Sequence, residues 1–467
     1  MAPQNQAASA TDSRRKWLVF TAVGIGSFMS ALDSSVVNTI LPVIRTYFNS
    51  DVAAVEWTVV VYLLVVSSLL LAFGRLGDLK GHKRIYISGF IIFVIASALC
   101  GLSPSVGILV TARAVQALGA AMLFANSPAI LIRGFPPQQR GRALGMQATM
   151  TYLGLIVGPA LGGLLTQSFG WRAVFYINVP VGLLAFGISV AFIEADRLEV
   201  TNIDRFDWPG AIIFSAGLVA LLMGLNQGQA WGWTSTAVLG CLTAAVILLA
   251  FFIWLEKRTL APMLDLSLFQ QRLFSACTAS AVLNYIGVSC AIFLMPFYLI
   301  QGRSLDPAHA GLFLTAQPVV MAIVAPISGS LSDRIGSRIL STIGMAILAV
   351  GLFLLSNLGP TSPDIAILVS LAVAGLGTGI FISPNTSALL GSAPRQRLGI
   401  ASGILATARN VGTVLGVGMA GAILTSIIGQ YGDSALFDAV HAGFIVASGI
   451  AVIGALVSSV RGIEYSL

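Results

Sequence analysis

The sequence has few charged residues. Asp, Glu, Lys and Arg make up only 9% of the 467 residues, whereas about a quarter of an ordinary soluble domain is charged. So few charges do not keep a soluble protein of this length dispersed. The composition therefore disfavours a soluble multidomain enzyme.

Groups that carry catalysis or bind metals are also scarce. The chain has three histidines, which lie in separate loops or ends, and four cysteines. The cysteines stand singly inside apolar blocks without the spacing of metal ligands, so we interpret them as small packing residues. No P-loop or other nucleotide motif is present. We therefore expect no enzyme, no metal site, no cofactor and no ATP-driven pump. The cysteines are Cys100, Cys241, Cys277 and Cys290.

The excess of basic residues does not indicate a nucleic-acid partner. The net charge is +7, but Lys and Arg form no basic stripe with interleaved aromatics. They fall in short loops between apolar blocks. This distribution is typical of a protein whose partner is the lipid bilayer.

What the sequence has in quantity is apolar residues, at 57%, and glycine, with 49 residues. The apolar residues form blocks of about twenty, the length of a helix that crosses a bilayer. Polar breaks between the blocks predict fourteen spans. They are 17–40, 55–75, 85–104, 106–131, 142–167, 173–193, 209–226, 236–255, 275–300, 308–330, 338–357, 364–389, 400–425 and 440–460.

Loop charge supports this count. With a cytoplasmic N-terminus, 20 of the 25 Lys and Arg residues lie in inner segments, as the positive-inside rule requires. Only Arg45, Arg172 and Arg303 lie in outer segments. A missed span would invert every later loop, so we expect fourteen spans with both termini cytoplasmic.

The chain contains an internal repeat. Gly74, Asp78 and Gly81 recur 255 residues later, and four other glycines recur at an offset of 258. We therefore predict a duplication, with spans seven and eight inserted between two six-helix halves. The predicted parts are an N-terminal tail (1–16), the first half (17–193), a two-helix linker (194–265), the second half (266–460) and a C-terminal tail (461–467).

Four motifs carry a resemblance to a known family. They are the loop segment Gly74–Arg84, the segment Arg113–Gly119 in span four, the Gly/Pro-rich segment Gly154–Gly163 in span five, and Leu32–Pro42 in span one. Together they resemble the major facilitator superfamily, and specifically its fourteen-helix drug:proton antiporter family. The resemblance covers nearly all of residues 17–460.

The resemblance implies an all-α polytopic membrane protein with the major facilitator fold, two six-helix halves plus two inserted helices. It implies alternating access driven by the proton gradient. The expected activity is proton-coupled antiport that exports lipophilic, cationic drugs or toxic compounds. We expect a monomer in a bacterial cytoplasmic membrane that binds small molecules and protons. The alternatives are export of a native metabolite, lipid or siderophore by the same machinery, and a non-transporting membrane sensor.

Asp33 is the only acidic residue well inside a predicted span. A charge there costs at least about 2.5–3.5 kcal/mol, so the carboxylate must face a cavity or a partner. If its exposure to water alternates, it can bind and release a proton, or bind a cationic substrate in its place. The alternative is an Asp that merely hydrogen-bonds neighbouring helices. Arg113 is the natural second charge, and Glu56 is either a second proton site or an interfacial residue.

The repeated loop motif predicts a conformational latch. Asp78 can accept hydrogen bonds from Arg84 or from the N-terminus of a helix in the other half. In the resembled family this loop is a cytoplasmic latch that differs between transport states. The predicted latch residues are Gly74, Asp78, Gly81, Lys83, Arg84, Asp333, Arg334 and Arg338.

Span five carries the antiporter motif of Gly154, Gly158, Pro159, Gly162 and Gly163. Three of these glycines form a stripe for close helix packing, and the proline can kink the helix. The second half has Val417 in place of this proline, so we expect span five to be the more bent.

Polar, aromatic and Met residues inside spans are candidates for the substrate cavity, although most such residues in any bundle belong to its core. We interpret Arg409 as an anchor near the cytoplasm or as a contact for an anionic substrate. The cavity candidates are Met29, Tyr62, Gln116, Met150, Asn284, Phe293, Gln317, Asn385 and Asn410.

Overall fold

The computed structural model describes residues 3–50, 52–195, 206–232, 234–259, 262, 264, 266–305 and 307–460. The predicted tail 461–467 and part of the predicted linker, 196–205, lie outside the described residues. Within them the fold is all α. The helices are α1 (Pro3–Phe48), α2 (Val52–Lys80), α3 (His82–Leu102), α4 (Val106–Gly134), α5 (Arg140–Phe169), α6 (Ala173–Tyr176), α7 (Asn178–Phe192), α8 (Trp208–Trp231), α9 (Thr236–Glu256), α10 (Arg272–Pro296), α11 (Pro307–Ile335), α12 (Ser337–Ser356), α13 (Asp364–Ser392), α14 (Leu398–Tyr431) and α15 (Leu436–Ser459).

Local sequence explains several helix ends. Ser105, Asp207 and Ser235 each accept a backbone N–H of the following first turn with their side chains, which satisfies a donor that the helix leaves free. Gly81 and Gly336 lie between consecutive helices with φ values of 96° and 87°. Only glycine adopts this conformation without strain, so the repeated glycine fixes the tight turn in both halves.

Thirteen described helices are long and apolar enough to cross a membrane. A fourteenth span results if the bent pair Pro137–Gly158 and Ala160–Phe169 is counted as one. These two segments are bent by 45° on either side of Pro159, whereas the equivalent helix α14 is one span. The predicted difference in bending between the two helices is therefore present. The helix α1 begins at Pro3, and its apolar span begins at Arg15.

The packing repeats between the halves. In the first half α1 packs on α5, and α4 packs on both α2 and α3. In the second half α10 packs on α14, and α13 packs on both α11 and α12. One apolar core, around Tyr86 and Phe90, combines first-half helices with parts of α8, α10, α13 and α14. A second core, around Leu348 and Phe444, lies within the second half. The duplication visible in the sequence is thus a duplication of helix packing.

The halves are joined mainly by two helix pairs, α2 with α14 and α5 with α11, and less extensively by α5 with α13 and α4 with α14. The helices α8 and α9, which the sequence predicts to be an insertion, pack on each other, and α8 also contacts α2 and α14. Ser215 of α8 donates a 2.9 Å hydrogen bond to the Ser68 carbonyl of α2. The α8–α9 pair therefore lies beside the contact between α2 and α14.

Candidate functional site

A buried ion pair lies inside the first half. Asp33 of α1 and Arg113 of α4 are each 1% exposed, and Arg113 Nη1 lies 2.5 Å from Asp33 Oδ2. A lone charge at this depth is costly, so each side chain compensates the other. The sequence indicated both residues but not their contact, which the helix packing creates.

Amide side chains complete the coordination of the carboxylate. Gln116 Nε2 and Asn178 Nδ2 donate to Asp33 Oδ1 over 3.0 and 2.8 Å. Gln116 Nε2 also donates to Ser97 Oγ, and Gln116 Oε1 accepts from Arg113 Nη1 over 2.6 Å. Each described contact of Asp33 is with a donor, so the arrangement suits an ionised carboxylate, which only accepts. We call Asp33, Arg113, Gln116, Asn178 and Ser97 the charge network.

Arg113 is held from its other sides as well. Its Nε donates to the Thr58 carbonyl over 3.1 Å, and its guanidinium carbon lies 4.2 Å from the ring centroid of Tyr62. The Phe175 ring is 5.9 Å away. An arginine held by a carbonyl and aromatic faces has one fixed orientation, so the network is preorganised.

Sequence reasoning identified part of this network. Gln116 was predicted to line a substrate cavity, but it belongs to the network because it follows Arg113 by one helical turn. Asn178 and Ser97 were not predicted as site residues. Their signal was a polar side chain within an otherwise apolar span. The side chain of Glu56 lies outside the described residues.

A cavity of about 350 Å³ lies between the two halves, within the usual size range of small-molecule sites. Its walls come from α1, α2, α4 and α5 of the first half and from α10, α13 and α14 of the second. Its polar and aromatic lining includes Ser30, Ser34, Tyr62, Phe124, Gln147, Thr151, Tyr152, Tyr285, Phe381, Asn385, Thr386, Arg409, Asn410 and Thr413.

Equivalent faces of α5 and α14 form two of these walls. The lining residues of α5 recur on α14 at the offset of 258 residues that the glycines show. Thr151 corresponds to Arg409 in this way, and Tyr152 corresponds to Asn410. The pairs are Leu144/Ser402, Gln147/Leu405, Ala148/Ala406, Thr151/Arg409, Tyr152/Asn410 and Leu155/Thr413. Equivalent positions of the two helices thus line the cavity, but most of them carry different side chains.

Three predicted cavity residues line this cavity: Tyr62, Asn385 and Asn410. The other predicted residues do not line this cavity. Met29 lies beside Gly182 of α7, and Met150 beside Gly24 of α1. Asn284 contacts Met345, Phe293 packs on Phe297, and the backbone of Gln317 lies against Gly375.

Arg409 is the one charged side chain among the described residues that line the cavity. It lies on the cavity wall within α14 and not in a loop. Its guanidinium carbon is 5.6 Å from the Phe124 ring centroid, and Tyr285 lines the same part of the cavity. Asp33 is not on the wall; Tyr62 lines the cavity and packs against the partner of Asp33, the Arg113 guanidinium.

The two repeated aspartates join the halves. Asp78 of α2 accepts from the backbone N–H groups of Gly399 and Ile400 at the start of α14, over 2.7 and 2.9 Å. Asp333 of α11 accepts from those of Gly141 and Arg142 at the start of α5, over 2.9 and 3.1 Å. Helix N-termini stabilise anions. We call these contacts the latch, and the end of the bundle that holds them the latch end.

Glycines allow the backbones to meet at the latch. A Cβ on Gly74 would overlap the Gly399 carbonyl, and one on Gly329 would overlap the Gly141 carbonyl. The predicted basic residues take no part in the contacts across the halves that the structure describes. Lys83 Nζ donates to the Val190 carbonyl within the first half, and Arg84, Arg334 and Arg338 are exposed. The backbone N–H groups of the opposite half hold the aspartates instead.

The glycines of the span-five motif pack α5 on α1. A Cβ on Gly154, Gly158 or Gly162 would meet α1 at 3.0 Å or less. Gly163 has open space where a Cβ would stand. The side chain of Pro159 lies outside the described residues. The motif therefore packs α5, which lines the cavity, closely against α1, which carries Asp33.

Comparison with known proteins decides the family. The model of the Major Facilitator Superfamily matches residues 23–271 and 277–462. The chain belongs to the Major Facilitator Superfamily. It is a multi-pass membrane protein of a transporter family, not an enzyme family.

Individual relatives agree with this assignment. The riboflavin transporter RibZ of Clostridioides difficile is 35% identical over 86% of this chain and 87% of its own. The multidrug resistance protein Stp of Mycobacterium tuberculosis is 33% identical over 89% of this chain and 77% of its own. The solved structure of the human transporter MFSD10 has a TM-score of 0.68 and 14% identity over 95% of this chain and 99% of its own. At this identity it shows the fold alone.

Proposed function

We propose that this superfamily member is a proton-coupled exporter of lipophilic small molecules, in the fourteen-helix drug:proton antiporter family. The observation that carries the proposal is the position of the charge network. A buried carboxylate and its arginine lie behind Tyr62, which is itself part of the wall of the inter-half cavity. In this arrangement Tyr62 contacts the proton site on one side and lines the substrate site on the other, so it links the two.

Proton binding at Asp33 would break the network. Both carboxylate oxygens accept from donors, so an added proton displaces at least one of them. Neutralisation of Asp33 also leaves Arg113 buried without a counter-ion, which is strongly destabilising. The protein relieves this cost by moving α1 relative to α4, and α1 carries part of the cavity wall. Protonation is thereby coupled to the shape of the substrate site.

The proton gradient supplies enough energy for this cycle. One inward proton carries about 2.3 kcal/mol per 100 mV of membrane potential and about 1.4 kcal/mol per pH unit. A tenfold substrate gradient requires about 1.4 kcal/mol. One proton for each substrate molecule therefore supports export without ATP.

The latch indicates which end of the bundle is closed in this conformation. Thr149 of α5 donates to the Ala322 carbonyl, and Asn410 of α14 donates to Ser67. These bonds and the latch involve only the first ten residues of α5 and the first thirteen of α14. The halves thus meet at the latch end, and a rocking motion would open it. We propose that the latch end is cytoplasmic and that the protein acts as a monomer in a bacterial plasma membrane.

The substrate could also be a native metabolite. One relative is a riboflavin transporter and another a multidrug resistance protein, and the cavity offers amide, hydroxyl and guanidinium groups that suit a polar aromatic compound. The predicted binding of a cationic substrate by Asp33 has no support in the geometry. Asp33 is enclosed by its donors, and neither Asp nor Glu is among the described residues that line the cavity.

Asp33→Asn tests the proposal. We expect this variant, in liposomes with an imposed pH gradient, to lose substrate-dependent proton flux, because an amide cannot take up the proton. The control is Asp438→Asn, which alters an exposed carboxylate of α15 and should transport normally. Equal substrate-driven proton flux in Asp33→Asn and the unmodified protein, with both proteins folded, would exclude the proposed coupling.

A further inference from the structure

The charge of the cavity wall indicates the substrate class. Arg409 brings a permanent positive charge to the wall, since a guanidinium does not lose its proton in proteins. Among the described residues it forms no ion pair within 4.0 Å, unlike Arg113, which is bound to Asp33. Its neighbours on the wall include Tyr285 and the Phe124 ring face. Neither neutralises a charge.

The position of Arg409 is not required by the fold. The equivalent position on α5 is Thr151, a neutral residue that lines the same cavity. At this pair of equivalent positions the wall is therefore neutral in the first half and charged in the second. A partly buried charge without a counter-ion is costly, and an anionic ligand would supply the missing partner.

Flat aromatic surfaces line the same cavity as this charge. Phe124, Tyr152, Tyr285 and Phe381 line the cavity together with Arg409. Aromatic side chains favour flat ring systems, and the planar guanidinium binds a carboxylate through two hydrogen bonds. The cavity volume of about 350 Å³ accommodates one such molecule.

We propose that the transported compounds are aromatic acids, with the acidic group bound by Arg409 and the ring system held between the aromatic residues of the two halves. This inference rests on the proposed export function and replaces the cationic substrate with an anionic one. It also changes the electrical character of transport. Exchange of one proton for one monoanion moves two charges in the same direction, whereas exchange for a monocation moves none.

Three probes with the same ring system test the selectivity: pyrene carboxylate, pyrene methanol and pyrene methylamine, which are anionic, neutral and cationic at neutral pH. Their binding to the full chain in lipid nanodiscs is followed by pyrene fluorescence. We expect the carboxylate to bind at least about tenfold more tightly than the amine, the effect of one charge-assisted contact. Arg409→Gln should abolish this preference while leaving the neutral probe unchanged. Arg409→Lys should keep part of the preference.

Arg258→Gln is the matched control, because Arg258 is an exposed arginine at the end of α9, away from the cavity. The inference is overturned if the amine binds as tightly as the carboxylate, if no carboxylate binding is measurable, or if the preference survives Arg409→Gln. Nanodisc binding needs no proton gradient. A failure of proton coupling in Asp33→Asn liposomes therefore leaves this result unaffected, and the two hypotheses fail separately.

Discussion

Asp78 of α2 accepts a hydrogen bond of 2.7 Å from the backbone N–H of Gly399, at the start of α14 in the opposite half. Asp333 makes the same kind of contact with Gly141 over 2.9 Å. Asp78 and Asp333 are 255 residues apart, and Gly141 and Gly399 are 258 apart. These are the two offsets of the sequence repeat. The repeat therefore corresponds to two equivalent contacts, in each of which an aspartate of one half binds the start of a helix in the other.

Asp78→Asn should weaken closure at the latch end. An amide keeps one acceptor but turns its NH₂ toward a second backbone donor, and a lost hydrogen bond to a charged group costs about 1.5–3 kcal/mol. Such a change favours the open conformation about tenfold or more. Distances between spin labels at Arg84→Cys and Arg338→Cys, both exposed, report the opening.

The equivalent change Asp333→Asn should have a similar effect, and the double variant a larger one. Asp438→Asn serves as the control because its carboxylate is exposed on α15. An unchanged distance distribution in the double variant would show that the aspartates do not hold the latch end closed.

Gly141→Ala should open the latch end by steric conflict. A Cβ at this position would overlap the Gly329 carbonyl and stand 2.7 Å from Asp333 Oδ1. Gly163→Ala is the matched control on the same helix, since a Cβ there meets nothing within 4 Å. Both Gly→Ala substitutions increase helix propensity by up to about 1 kcal/mol. The two variants therefore differ only in the steric clash at position 141. The spin-label distances should lengthen in Gly141→Ala alone; similar distances in the two variants would contradict this account.

Asn178→Ala should impair transport more than Asn284→Ala. Both asparagines are almost fully buried, but Asn178 donates to the Asp33 carboxylate while Asn284 donates to the Met345 sulfur. Loss of a bond to a charged acceptor costs about 1.5–3 kcal/mol, and a weaker neutral contact costs less. Thermal unfolding and initial export rates measure both effects. Equal losses in the two variants would mean that Asn178 acts only in packing.

The sequence predicted the fold better than the site. Apolar block length, loop charge and the repeated Gly-Asp pattern depend on the order of residues along the chain, so they indicated the helices, their duplication and the interfacing aspartates. Which face of a helix a residue occupies depends on packing between distant segments. Gln116 and Arg409 illustrate this: each is polar within an apolar helix, yet one lies in the charge network and the other on the cavity wall. Asn178 joins Asp33 across 145 residues, a contact without a local signal.

Tyr62 provides a test of how the cavity and the charge network communicate. Its ring lies 4.2 Å from the Arg113 guanidinium carbon, and its hydroxyl has no hydrogen-bond partner among the described residues. Tyr62→Phe keeps the ring and should change neither binding nor transport by more than about twofold. Tyr62→Leu removes the aromatic face, worth about 2 kcal/mol when desolvated, and should lower proton-coupled export about tenfold or more. Pyrene binding in nanodiscs should fall far less, because the other aromatic residues of the cavity remain. If Tyr62→Leu lost binding and export in equal proportion, Tyr62 would be only a substrate contact, and the link to Arg113 would have no part in coupling.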